Sequence, residues 1–292
     1  MPHRLLLIAL CGLIFAAAAQ AQPKAIPGIR AFPDLEYARV GDKSLQLDLY
    51  LPEKPEGRLP VIVCVHGGGW MAGSRKDAAL IGFVFRGYAV ASVEYRLSQE
   101  AIFPAQIYDC KAAIRWLRAH ADQYGLDVNH FGAWGHSAGG HLVALLGTSG
   151  DVKDLEGDEG NLQFSSRVQA VSDWAGPVDF LADPAQAGKD SGPSRLIGGP
   201  VQENRDKAMR ASPLTYVTPD DPPFLIVHGD HDKLVPLAQA RLLYAALTKA
   251  GVPATLLIRP WTGHGIGDPT VTWTQNEFFD KYLKGRTAPA GK

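Results

Sequence analysis

The chain has 292 residues, 46% of them hydrophobic, and a formal charge of −1 with acidic and basic side chains interspersed. No basic stripe or acidic tail is present, which argues against nucleic acid and anionic membrane surfaces as partners. The length admits one α/β domain with a large core, and three cysteines are too few for a disulfide framework.

At the start, His3 and Arg4 precede an apolar run from Leu5 to Ala19, with small residues at Ala19 and Ala21. A secretory signal peptide over residues 1–21, cut after Ala21, is expected, and with it a secreted or periplasmic location. The run is short for a membrane span of about 20 residues, so no membrane association is expected after cleavage. Residues 22–34 are proline-rich and read as an extended arm. LEYARV and LQLDLYLP follow, separated by Gly41-Asp42-Lys43. Leu45, Leu47 and Leu49 alternate with Gln46, Asp48 and Tyr50, the period of a half-buried antiparallel strand, so a hairpin is expected.

The pattern then changes. LPVIVCV is a continuous apolar run, as in a strand covered on both faces. Helical spacing over 75–86, a strand at YAVASVEY and a helix from Pro104 to Gly125 come next. HFGAW, VQAVSDW, PFLIVHG and ATLLIRP read as further strands, with helices at 138–147, 236–250 and 270–284. This alternation predicts a mostly parallel sheet with helices on both faces, led by an antiparallel hairpin. Residues 178–212 are too rich in Gly and Pro for another β–α unit. They read as a cap over the carboxyl ends of the strands, where open α/β sheets place their ligands. One catalytic domain is expected over 35–285, with 286–292 as a tail. Cys64 and Cys110 read as buried free thiols, with a disulfide between them as the alternative.

Four stretches carry chemistry. Gly135-His136-Ser137-Ala138-Gly139 joins a strand to a helix, a turn that lifts a serine hydroxyl off the sheet. The competing reading of Ser137 is a helix N-cap. His66-Gly67-Gly68-Gly69-Trp70 follows the LPVIVCV strand, and its glycines let backbone amides face a developing oxyanion, as would the amide of Ala138. Gly67-x-Gly69-x-x-Ala72 with Glu94 also resembles a dinucleotide fingerprint. That rival leaves the later motifs unexplained, and Trp70 would crowd the pyrophosphate. A serine nucleophile needs a base, and His264, in Gly263-His264-Gly265 after the last strand, lies on the rim where Ser137 is expected. The acid that orients it comes from HGDHDKLVP, where Asp230 and Asp232 both qualify.

HGGGW, GHSAGGHL, HGDHDKLVP and GHG at these intervals resemble α/β-hydrolase esterases of the hormone-sensitive-lipase-like type, nearest to exported feruloyl and acetylxylan esterases. The likeness runs from about Leu45 to the C-terminal helix. It implies Asp232 as the acid, Gly68 and Gly69 with Ala138 as oxyanion donors, and no metal or cofactor. His136 stands where many lipase-like members have Asp. Esters with short, aryl or carbohydrate-linked acetyl or feruloyl groups are the implied substrates. Amide hydrolysis by the same triad, or a non-catalytic binding protein, are the alternatives. Trp70, His136 and Trp174 are candidate pocket walls, with ordinary core packing the other reading for the tryptophans. Nothing in the sequence fixes the oligomeric state.

Overall fold

The computed structural model describes residues 26–77, 80–150, 152–182 and 188–285. The expected signal peptide and the 286–292 tail therefore lie outside the described residues.

Eight strands form one sheet: β1 (Ile29–Val40), β2 (Lys43–Pro52), β3 (Leu59–Val65), β4 (Ala89–Val93), β5 (Leu126–His136), β6 (Ala170–Trp174), β7 (Phe224–Gly229) and β8 (Ala254–Arg259). Their order is β1-β2-β4-β3-β5-β6-β7-β8. β1 and β2 pair antiparallel, β2 also runs antiparallel to β4, and the rest is parallel. The strands are joined or followed by helices α1 (Ala105–Ala119), α2 (Ala121–Tyr124), α3 (Ala138–Thr148), α4 (Gly192–Ile197), α5 (Arg205–Ala211), α6 (Leu237–Ala250) and α7 (Pro269–Lys284).

Two expectations change. The extended arm is in part a strand, since β1 begins at Ile29 and pairs with β2 from there. Pro33 sits in it without penalty because β1 is the sheet edge, and a register shift between Phe32 and Leu35 absorbs it. Instead of one helix at 75–86, the described residues form two short 3-10 turns, Arg75–Asp77 and Ile81–Arg86.

The period of two along β3 divides the interior. Val61, Val63 and Val65 pack with Ile107, Ile114 and Leu117 of α1, Leu142 and Val143 of α3, and Leu243 and Leu247 of α6. Ile62 and Cys64 point the other way, onto Phe279 and Leu283 of α7. All seven β3 residues are buried, which explains the uninterrupted apolar run. Cys64 and Cys110 are buried free thiols, and burial pushes the Cys64 thiol up to about 12. Among the described residues no helix is long and apolar enough to cross a membrane.

Candidate active site

The site lies at the carboxyl ends of β3, β5, β7 and β8. Between β5 and α3 the backbone reverses through Ser137 at φ 59°, ψ −120°. Such a conformation costs a non-glycine residue about 1–3 kcal/mol and persists only where the surroundings impose it. Here they do: the Ser137 amide donates to the Trp174 carbonyl at 2.8 Å, and the His141 amide to the Ser137 carbonyl at 3.0 Å. A Cβ on Gly139 would stand 2.1 Å from the Val65 carbonyl oxygen, and one on Gly135 would stand 2.3 Å from the Gly139 backbone. Small residues are therefore a packing requirement of this turn. The serine hydroxyl makes no capping hydrogen bond, which removes the N-cap reading.

After β3 the chain loops through Gly68 at φ 106° and Gly69 at φ 61°. The Gly68 carbonyl accepts from the Met71 and Ala72 amides, both at 3.1 Å, and tightens the loop. Among the described residues no backbone carbonyl takes the amides of Gly68 or Gly69. Ala138 supplies the first amide of α3, which has no partner inside the helix. No α-helix follows β3 before β4 among the described residues, so the helix N-terminus that a dinucleotide fingerprint needs is missing.

His264 follows β8. Its Nδ1 donates to Asp232 Oδ2 at 2.7 Å, which leaves Nε2 as the nitrogen able to take a proton. The Asp232 carboxylate is buried and fully engaged. The amides of Leu234 and Val235 donate to Oδ1 at 2.8 and 2.9 Å, and His228 Nε2 lies 3.4 Å from Oδ2. Burial pulls this carboxyl upward, but the bonds from His228, His264 and the two amides outweigh it and hold it well below the usual carboxylate range. Asp230 turns elsewhere, to His231 Nδ1 at 2.6 Å. Asp232 is therefore the one of the two that meets His264.

Ser137, Ala138, Gly68, Gly69, His264, Trp70 and His136 line one cavity of about 480 Å³, within the usual range of ligand sites. Met71, Pro177, Phe180, Leu234 and Val235 give it apolar walls, and Asp179 and Gln239 add polar groups. Of the two readings of Trp174, pocket wall and core packing, the second holds: it does not line this cavity. Along β6 the side chains alternate, and Trp174 falls with Ser172 on the α7 face, where its Nε1 donates to Ser172 Oγ at 3.0 Å and its ring meets Trp134 edge-on.

Two further histidines, His136 and His141, have defined tasks. His136 Nε2 donates to the His264 carbonyl at 2.7 Å and ties the two loops together. His141, fully buried in α3, accepts from Trp70 Nε1 at 3.2 Å through Nδ1 and donates through Nε2 to the Ala211 carbonyl at 2.7 Å. The Phe180 ring stacks on it at 5.1 Å. Burial pushes this imidazole down to about 4, so it is neutral and its two bonds require the Nε2–H form. It thereby fixes the indole wall and joins α3 to both ends of segment 178–212. Gln239 pins the start of that segment, accepting from the amides of Val178 and Asp179 at 2.7 and 2.8 Å. Phe180 gives no signal in sequence, because the segment lacks periodicity, and Gln239 reads as one more polar residue of the 236–250 helix. Among the described residues no group of three or more His, Cys, Asp or Glu side chains could hold a metal ion.

The strand order, the serine turn between β5 and α3, and the acid and histidine after β7 and β8 define an α/β-hydrolase. The chain belongs to the BD-FAE family, whose model matches residues 47–247. A truncated carbohydrate esterase from gut microbiota is 36% identical with a TM-score of 0.80, over 87% of this chain and 96% of that one. A bifunctional GH43-CE protein of Bacteroides eggerthii is 35% identical with a TM-score of 0.82, over 87% of this chain and 35% of that one. The probable carboxylic ester hydrolase LipM of Mycobacterium tuberculosis is 31% identical over 79% of this chain and 55% of its own length. The chain spans about half the length of the first curated relatives it matches.

Proposed function

We propose that this chain is a carboxylic ester hydrolase that works through an acyl-enzyme on short or aromatic acyl groups, acetyl or feruloyl, borne by a carbohydrate. The observation that carries this reading is the 2.7 Å bond from His264 to the buried Asp232, with His264 lining the same cavity as Ser137. Ser137 Oγ attacks the ester carbonyl while His264 Nε2 takes its proton, and Asp232 keeps the ring in the required tautomer. The amides of Gly68, Gly69 and Ala138 hold the oxyanion. His264 then protonates the leaving alcohol, and next removes a proton from the water that releases the acid. Nothing in these steps calls on a cofactor. Segment 178–212 acts as the cap that shapes the acyl site, through Phe180 and Pro193. The carbohydrate half of the proposal is supported by the carbohydrate esterase among the similar structures. Residues 1–21 export the chain, and 35–285 form its catalytic domain.

Labelling with a fluorophosphonate probe tests the nucleophile: wild type is labelled at Ser137, and Ser137→Ala is neither labelled nor active. Rates on p-nitrophenyl acetate, acetylated and feruloylated oligosaccharides, aryl formamides and peptidyl anilides test the substrate. Amide rates far above ester rates would overturn the ester reading.

A further inference from the structure

The loop that carries His264 also carries the most exposed large hydrophobic residue among those described. Trp261 is 86% exposed, although it stands only three positions before His264. Its backbone lies at φ 56°, a left-handed conformation that a bulky side chain adopts only under constraint. The constraint comes from the neighbouring loop, which carries Asp232. The His231 amide donates to the Thr262 carbonyl at 2.9 Å, and the Asp230 amide to the Arg259 carbonyl at 3.1 Å. Asp230 Oδ1 also accepts from the Thr262 amide at 3.4 Å. One face of the indole rests on the His231 ring, at 5.1 Å between centroids and 31° between planes. His231 is in turn held by Asp230 at 2.6 Å. The fold thus spends backbone strain and a three-residue brace to keep an aromatic ring in water beside the catalytic loops.

We infer that Trp261, backed by His231, is a stacking platform for a sugar residue of the substrate, away from the residue whose ester is cleaved. The inference rests on the proposed carbohydrate-ester reading. A pyranose ring has one face of C–H groups that suits an indole and a rim of hydroxyls that suits polar groups. The same two loops carry polar side chains at the surface, Asp230, His231 and Thr262, from which such a rim can draw hydrogen bonds. A protein partner fits less well. A single indole buries roughly 150–250 Å², whereas a stable interface needs about 800 Å² per partner. The braced loops do not extend the patch. The other exposed large hydrophobic residue in these two loops, Leu234, belongs to the cavity wall.

The experiment compares wild type, Trp261→Ala and Trp261→Phe on p-nitrophenyl acetate and on acetylated xylo-, manno- and cello-oligosaccharides of two to six units. Expected for Trp261→Ala is a roughly five- to ten-fold loss of kcat/KM on the longer saccharides, carried by KM, the size of one aromatic contact. Rates on p-nitrophenyl acetate stay within two-fold, and Trp261→Phe keeps most of the saccharide activity. A second readout is retardation in gels containing the matching deacetylated polysaccharide, seen for wild type and lost in Trp261→Ala. Equal losses on all substrates would mean that Trp261 only supports the His264 loop, and would overturn the platform. No loss on any substrate would overturn it as well, while leaving the carbohydrate reading intact. Wild type that cleaves p-nitrophenyl acetate but no acetylated saccharide would overturn both.

Discussion

Replacing Asp232 by Asn separates the acid at this site from its neighbour Asp230 and tests the electrostatics of the triad. Asn has the same shape but one oxygen fewer. Asp232 Oδ1 accepts from two backbone amides and Oδ2 from His264. Turning the new amide nitrogen toward Leu234 and Val235 would strand two backbone N–H groups at about 1–3 kcal/mol each. Asn therefore keeps its oxygen there and presents its NH₂ to His264. The histidine must then accept at Nδ1 and carry its proton on Nε2, where it can no longer serve as base. In serine proteases the equivalent substitution lowers kcat about 10⁴-fold, or about 5 kcal/mol of barrier. The assay is the initial rate on p-nitrophenyl acetate, normalised to folded protein, beside a thermal melt. Asp230→Asn, whose side chain meets His231 and the Thr262 amide at the surface and can still accept through its oxygen, is expected to stay within about three-fold. A folded Asp232→Asn protein keeping more than a tenth of wild-type kcat, or a collapse in Asp230→Asn, would refute the assignment.

A Cβ on Gly68 would stand 2.2 Å from the Ala72 carbonyl oxygen, at a φ that only glycine accepts freely. Gly68→Ala should displace the amide loop and lower kcat about 10²- to 10³-fold, the effect of losing one oxyanion donor, with acyl affinity less affected. An intact kcat would show that those amides do not serve the reaction. His141 makes a pH-dependent contribution to folding. Its imidazole titrates at about 4 when folded, against about 6.5 when unfolded, so between these values the unfolded chain binds more protons. Its stabilising share is present above pH 6.5 and is lost as pH falls toward 4, by about 3 kcal/mol in the limit. Asp173, pushed up to about 6 by burial, has the opposite slope in part of that window, so wild type alone is not diagnostic. Denaturant unfolding of wild type and His141→Gln at pH 4.5 and pH 7 isolates the effect, and a pH-independent difference between them would contradict it.

The parts of the site legible in sequence are those where backbone geometry forces a residue type. The glycines around Ser137 and those after β3 answer close contacts between chain segments, and such contacts leave a local mark. The choice between Asp230 and Asp232 left none. It is made by two amides and a histidine from other loops, and only the family resemblance pointed to Asp232. The start of β1 was misplaced because Pro33 and Asp34 read as the end of an arm, whereas an edge strand tolerates both with a bulge. Trp174 stays open between wall and core in the sequence because a strand-end aromatic can face either layer, and register decides which. Segment 178–212 owes its position to anchors outside it, at Gln239 and His141. Its own residues could not announce the short helices α4 and α5 or the wall formed by Phe180.

The close seating of α3 on the sheet has a bearing on how this protein can change over generations. The approaches at Gly135 and Gly139 are between main-chain atoms, so the height of the serine above the strands is gauged by the polypeptide itself. A lineage can thus revise its interior while the Ser137 hydroxyl keeps its height above the strands. The same arrangement leaves a redesign little room to replace either glycine.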